Sequence, residues 1–297
     1  MSFFLDYFTF FFDASKDFLF YVLNEVTFNV SPWYINYFWW LIFLSVTVWA
    51  LEIIFPWRKN QPIIRKYFWM DLFYILFNFY IFKIIIFIGL SLTIERLFLD
   101  LLNIEQSLFL FNVQSLHPTL QLLLFFVLID FISWGTHILL HKNKFLWQFH
   151  KVHHSVEQMG FAAHFRFHWM ETIVYTPSKY IALIVLGNFE PNHAFIVYYL
   201  TIAVGHLNHS NINVNYGPLK YIFNNPKMHI WHHSKHLPKN FKTGVNFAIS
   251  LSIWDYVFKT NYIPYDGGNN RLGFKNTATF PKTFLTQISY GFKKSKD

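Results

Sequence analysis

The chain has 297 residues, of which 54% are hydrophobic, 23% aromatic and only 13% charged, with 39 Phe and a formal charge of +8. This is far too apolar for an ordinary soluble domain, and the absence of cysteine rules out disulfides, Cys-ligated iron–sulfur clusters and thiolate metal sites within it. The basic residues are scattered among apolar runs, which argues against a nucleic-acid partner.

Residues 1–32 are rich in Phe with a few acids and read as an amphipathic, interfacial segment. No basic residue precedes Lys16 and no small-residue cleavage site follows, so a cleaved signal peptide is not expected. Three apolar runs come next, at 33–55, 68–94 and 120–140. Each meets the roughly 20 apolar residues that a membrane-spanning helix requires. Lys83 lies in the middle of the second and is assigned no function. Two shorter runs, 172–186 and 193–204, flank "GNFEPN". They are too short for two full crossings and fit a helical hairpin that enters and leaves by one face.

Orientation follows from Lys and Arg, which favour the cytoplasmic side. The loop "PWRKNQPIIRKY" carries four basic residues and no acid, whereas the loop after the second span has Arg96 against Glu95, Asp100 and Glu105. From His141 onward there are 17 Lys or Arg. The first loop and the C-terminal half are therefore expected in the cytoplasm. The fold class is all-α integral membrane protein: three spanning helices, a short helical hairpin and a cytoplasmic helical cap. The expected organisation is an N-terminal segment 1–32, two spans with an external loop over 33–118, a catalytic region over 119–265, and a loosely ordered cytoplasmic tail over 266–297.

Fourteen of the 15 histidines lie at or after position 137. His137 and His141 are spaced i, i+4 at the inner end of the third span. "HKVHHS" (150–155) and "HIWHHS" (229–234) repeat one word, placing His150, His153 and His154, then His229, His232 and His233, on one stripe of a helix each. Neutral imidazole is the commonest metal ligand and suits Fe, Zn, Cu and Ni. A zinc ion takes about four protein ligands, so eight suggest two metals. His117 and His193, isolated in apolar surroundings, read as structural, and His236 as a surface residue. Ligating imidazoles usually donate their second N–H to a carboxylate or carbonyl. Asp130, two helical turns before His137, is a candidate for that role, and so are Asp255 and Glu171.

These motifs resemble the fatty acid hydroxylase/sterol desaturase superfamily, in its bacterial sterol-desaturase-like branch. "LIDFISWGTHILLHKNKFLWQFHKVHHS" (128–155) is similar to the family's first two histidine boxes. "FRFHWMETI" (165–173) resembles its Arg-x-His-Pro-x-Glu segment, "HLNHSNINVNYGPLKYIFNNPKMHIWHHS" (206–234) its last box, and "NFAISLSIWDYVFKTNYIP" (246–264) its closing segment. Trp169 stands where Pro is usual and Lys259 where Gly is usual, and His164 and His206 are extra.

The resemblance implies a di-iron centre on His137, His141, His150, His153, His154, His229, His232 and His233, with His209 as a further ligand. His168 falls on the Arg-x-His position, as a ligand, a partner of one, or a helix cap. The implied activity is an oxygenase that hydroxylates or desaturates a C–H bond of a lipid with O2 as co-substrate. Its electrons would come from a separate donor, a ferredoxin or cytochrome with its reductase, and its site would face the cytoplasm, in a bacterial inner membrane. Three rivals remain: a metal transporter, whose ligands should lie within the spans; a zinc-stabilised scaffold, which need not keep all three boxes; and a zinc hydrolase, which needs about three ligands and an open position.

Overall fold

The computed structural model describes residues 2–102, 113–185 and 191–292. Every regular element among them is helical, and β pairing is confined to two isolated bridges, Pro56 with Ile212 and Ser234 with Leu272. Three helices are long and apolar enough to cross a membrane: Tyr37–Ile54, Phe68–Ile94 and Pro118–Lys142.

Helix α1 (Ser2–Val26) precedes the first of these, α2 (Tyr37–Ile54). The sequence places that span from residue 33, but Trp33–Ile35 forms a separate 3-10 turn. Asn36 makes the boundary, because its side chain accepts the Trp39 N–H and so caps α2. Glu25, buried at the end of α1, accepts the Tyr37 N–H at 2.6 Å and the Tyr21 hydroxyl at 2.9 Å.

The second span is one helical rod made of α3 (Phe68–Leu76), two π-helical stretches (Phe77–Ile81 and Lys83–Phe87) and α4 (Ile88–Leu102). Asn78, buried in the first π stretch, donates to the carbonyls of Phe165 and Phe167. Helix α1 lies along α4, touching at Gly89. A Cβ there would stand 2.4 Å from Ser15 Oγ and 2.7 Å from the Phe11 carbonyl, so only Gly admits the approach.

Helix α5 (Pro118–Lys142) is the third span. His117 caps its start by accepting the Thr119 N–H at Nδ1, a structural role as expected. Asn143 then stops α5 and caps α6 (Lys144–His154), accepting the N–H groups of Phe145 and Leu146. The hairpin is α7 (Trp169–Val185) and α8 (Pro191–His209), whose connecting residues lie outside the described ones. Helix α7 packs on α5 and α8 on α2. Helix α8 runs further than its hydropathy indicates, carrying His206 and His209 in its last turn. Short helices α9 (Pro226–His232), α10 (Ile253–Val257) and α11 (Phe284–Ile288) close the histidine-bearing end.

The tail is packed, not loose, as far as Phe292; residues 293–297 lie outside the described ones. Phe280, Phe284, Ile288 and Tyr290 join the apolar cluster around Tyr74 and Val152. Gln287 accepts the Tyr74 hydroxyl at 2.9 Å. Trp169, the residue standing where Pro is usual, donates its indole N–H to the Ile288 carbonyl at 2.9 Å. Lys259, the other departure, sits at φ +57°, a region that glycine enters freely and lysine does not.

Candidate metal centre

Nine histidines converge at one end of the bundle in two groups. His137, His141, His150, His154 and His232 form one, and His153, His209, His229 and His233 the other. Within each group one ring nitrogen per residue lies within 4.8 Å of the others. Helix α5 supplies two of them, α6 three and α8 one, while α9 brings His229 and His232 with His233 at its C-cap. Helix α9 is only one to two turns long but is firmly started, with Pro226 in its first turn and the Asn225 side chain accepting the Met228 N–H.

The two copies of the repeated word divide their histidines in opposite senses. The outer pair of the first, His150 and His154, joins one group while its middle member, His153, joins the other. In the second copy the outer pair His229 and His233 sits with His153, and the middle member His232 crosses to the first group.

Ring orientation is set from outside. Nδ1 of His137, His141 and His232 faces the carbonyls of Phe247 (2.8 Å), Thr243 (3.0 Å) and Val245 (2.8 Å). His153 and His209 do the same with Arg166 (3.2 Å) and Gly205 (2.8 Å). His150 Nδ1 is 2.9 Å from Glu171 Oε2. A carbonyl only accepts, as does a carboxylate in its ionised form, so the single proton of each neutral ring so placed resides on Nδ1 and Nε2 carries a bare lone pair. Two of the resulting pairs face each other: His137 with His150 at 3.1 Å, and His153 with His209 at 3.2 Å. Two lone pairs at that range repel unless a cation lies between them. His232 Nε2 is likewise buried with no protein partner.

Protonation does not offer an alternative relief. Burial, reinforced by neighbouring imidazoles, holds His150, His153, His154, His229, His232 and His233 well below the ordinary histidine pKa. A neutral, all-nitrogen donor set closing on two centres fits a pair of transition-metal cations.

The carboxylates named from sequence take distinct places. Glu171 touches a clustered ring directly, through His150, and Asp130 and Asp255 touch none. Asp255 accepts the N–H groups of Phe247 and Ala248, the Trp134 indole and the Thr260 hydroxyl. Asp130 accepts those of Ser250, Leu251 and the Trp254 indole. Together they clamp the loop whose carbonyls orient His137, His141 and His232. The loop's orienting role escaped sequence reasoning, although its residues from 246 belong to the closing segment quoted above, since backbone acceptors leave no residue pattern. A further signal is Gly244, at φ +122°, where a Cβ would press on His141 Nδ1 and the Phe247 ring at 3.0 Å.

His168, His164 and His206 belong to neither group. His168 accepts the Met170 N–H at Nδ1, capping α7, and packs against Phe149. His206 Nε2 lies 3.0 Å from Ser45 Oγ, and its Nδ1 lies 3.4 Å from that of His164. His164 stacks on His209 with ring centroids 5.1 Å apart, in room left by Gly205.

Residues 122–260 match the fatty acid hydroxylase family model. An ornithine lipid hydroxylase of Rhizobium tropici is 33% identical over 175 residues, 59% of this chain and 51% of that protein. Human alkylglycerol monooxygenase is 26% identical over 136 residues, 46% of the chain and 29% of the relative. Methylsterol monooxygenase 1-1 of Arabidopsis thaliana is 25% identical over 182 residues, 59% and 53% respectively. The chain thus spans about half or less of the length of these curated relatives. No solved structure matches it.

Proposed function

Because residues 122–260 belong to the fatty acid hydroxylase family, we propose that the chain is an integral-membrane oxygenase that hydroxylates a C–H bond of a lipid with O2. Two iron ions would be held, one by His137, His141, His150, His154 and His232, the other by His153, His209, His229 and His233. The observation that carries this reading is the facing of bare Nε2 atoms inside a buried, neutral shell of nine imidazoles. Such a metal pair, when bound and reduced, would supply the electrons that activate O2, whose oxidising power then breaks an unactivated C–H bond.

The protein's own residues do the rest. Carbonyls at 166, 205, 243, 245 and 247 keep the protons on Nδ1, so that Nε2 faces inward. Glu171 faces Nδ1 of His150 in the same way, and a carboxylate in that place raises a ligating ring's donor strength. The relatives named above act, by their names, on an ornithine lipid, an alkylglycerol and a methylsterol. These share hydrocarbon rather than a headgroup, which supports a lipid substrate, and the names hydroxylase and monooxygenase favour hydroxylation over desaturation. A membrane setting follows from the three apolar spans, with the histidine end in the cytoplasm by the excess of Lys and Arg there. Electrons would come from a separate ferredoxin or cytochrome with its reductase.

The test is metal content and Mössbauer spectroscopy of detergent-purified protein from cells grown on isotopically enriched iron. About two irons per chain, at roughly four ligands each, with a coupled diferric signal lost in His153→Ala and His232→Ala, is the expected outcome. A single zinc or no metal in a folded, iron-supplemented preparation would overturn it in favour of a zinc scaffold or hydrolase.

A further inference from the structure

Insertion of one oxygen atom into a C–H bond, with the other reduced to water, consumes two electrons and two protons. On the reading above, those electrons must cross from solvent to buried imidazoles. Among the nine histidines His141 is the most exposed, at 9%. The half-buried Trp147 covers it, with ring centroids 5.0 Å apart, and the same indole lies 5.2 Å from His154. His150 of the same group lies 6.0 Å away, so Trp147 adjoins three rings of one group and is itself partly open to solvent. Phe274 flanks it at 6.1 Å.

Lysines adjoin, in sequence, the residues that frame this indole. Lys144 and Lys151 lie at i−3 and i+4 on α6 and share its face, and Lys151 Nζ sits 5.8 Å over the Phe274 ring. Lys142 follows His141, Lys242 precedes the Thr243 whose carbonyl faces His141, and Lys275 follows Phe274. Lys142, Lys144, Lys242 and Lys275 are all exposed. Opposing charge is scarce at this end. Among the described residues after position 141 the exposed carboxylates are Glu157 and Asp266, and each is already paired, with Lys66 at 3.3 Å and Lys227 at 2.7 Å.

We propose that the Lys142, Lys144, Lys242 and Lys275 face docks an acidic one-electron carrier protein, and that Trp147 is the point at which its electron enters the histidine groups. The proposal deepens the oxygenase reading and rests on it. Each docking oxidises the carrier by one electron, and two dockings supply one hydroxylation. Charge complementarity of this kind governs association rate and its salt dependence.

The experiment uses the full chain in detergent with a small acidic [2Fe–2S] ferredoxin as probe, and measures binding separately from electron transfer. Replacing Lys142, Lys144, Lys242 and Lys275 by Glu should raise the Kd about tenfold or more and flatten its salt dependence. Reversing Lys59, Lys235, Lys239 and Lys259 instead should leave the Kd nearly unchanged. Trp147→Leu should slow ferredoxin-driven reduction of the metal-loaded protein by about tenfold while dithionite reduces it as before, with Trp147→Phe in between. Equal loss of binding in both lysine sets, unchanged reduction by Trp147→Leu, or weakened binding to anionic nanodiscs in place of ferredoxin would overturn the proposal. Dithionite-driven single turnover separates the two readings. Product formed with carrier binding indifferent to the lysines sinks the docking face alone, and no product from the iron-loaded protein sinks the oxygenase while the binding data still judge the face.

Discussion

His153 and His232 hold the same place in their two hexapeptides and are each donated to the group that their helical neighbours do not join. Their removal should therefore act unequally. His153→Ala takes one of four members from its group and His232→Ala one of five, so His153→Ala should lose more metal, as measured per chain by mass spectrometry. Glu171→Gln is a gentler probe. It preserves shape but removes the carboxyl behind His150, and loss of such an outer partner typically costs about 10–100-fold in metal affinity. Unchanged affinity in a competition titration would show that the carboxylate does no more than pack. Burial at Glu171 is nearly complete, as it is at Asp255, yet only Glu171 contacts a clustered ring.

The loop 243–251 is the element on which the first group depends, since three of its carbonyls orient three rings and two carboxylates orient it. Asp255→Asn leaves one of four donors facing an amide N–H, a loss of about 1–3 kcal/mol for a buried donor left unpaired. It should lower the melting temperature and loosen His137 together, whereas a change in melting alone would detach Asp255 from the site. Gly244→Ala adds a methyl against His141 at a φ that L-residues resist, and should cost about 1–3 kcal/mol along with metal from that group. At the far side of α7, Trp169→Pro should release the tail. Hydrogen exchange over residues 284–292 would report it, and unaltered protection there would contradict the anchoring role of the indole N–H.

These elements also mark how far a sequence can be read. The i, i+4 and i, i+3 spacings are periodic and the three apolar runs are long and unbroken, so histidine stripes and spans were legible in them. Which stripe member faces which partner depends on how α6 and α9 cross, and no local period encodes that. The carbonyl shell was illegible for a simpler reason, that any residue supplies a carbonyl. His164 and His206, extra to the family pattern, turn toward each other, the Phe161 carbonyl and Ser45. The polar Gly-Gly-Asn-Asn at 267–270 suggested a loose tail, while the Phe and Tyr residues beyond it bind that tail down.

At the scale of the whole molecule, α5, α6, α8 and α9 pack on one another and bring their imidazoles together at one end. If metals fill the groups, they join α5, α6, α8 and α9 more firmly than packing alone. Binding to the folded state adds ~2.7 kcal/mol per site at free metal ~100-fold above its Kd. Chelation should accordingly lower the melting temperature well beyond the effect of any single residue change above, and a melting curve insensitive to chelator would exclude a structural share for the metals.

The opposed sharing of the repeated word carries one more consequence. Because α6 and α9 each lend residues to both groups, neither group can assemble without placing members of the other, so the first ion to arrive fixes most of the second ion's cage. Filling should then be cooperative. At half-stoichiometric iron the population should be split between empty and doubly filled chains, with singly filled chains rare by native mass spectrometry. Two independent sites would instead give a binomial mixture, in which half of the chains carry a single ion.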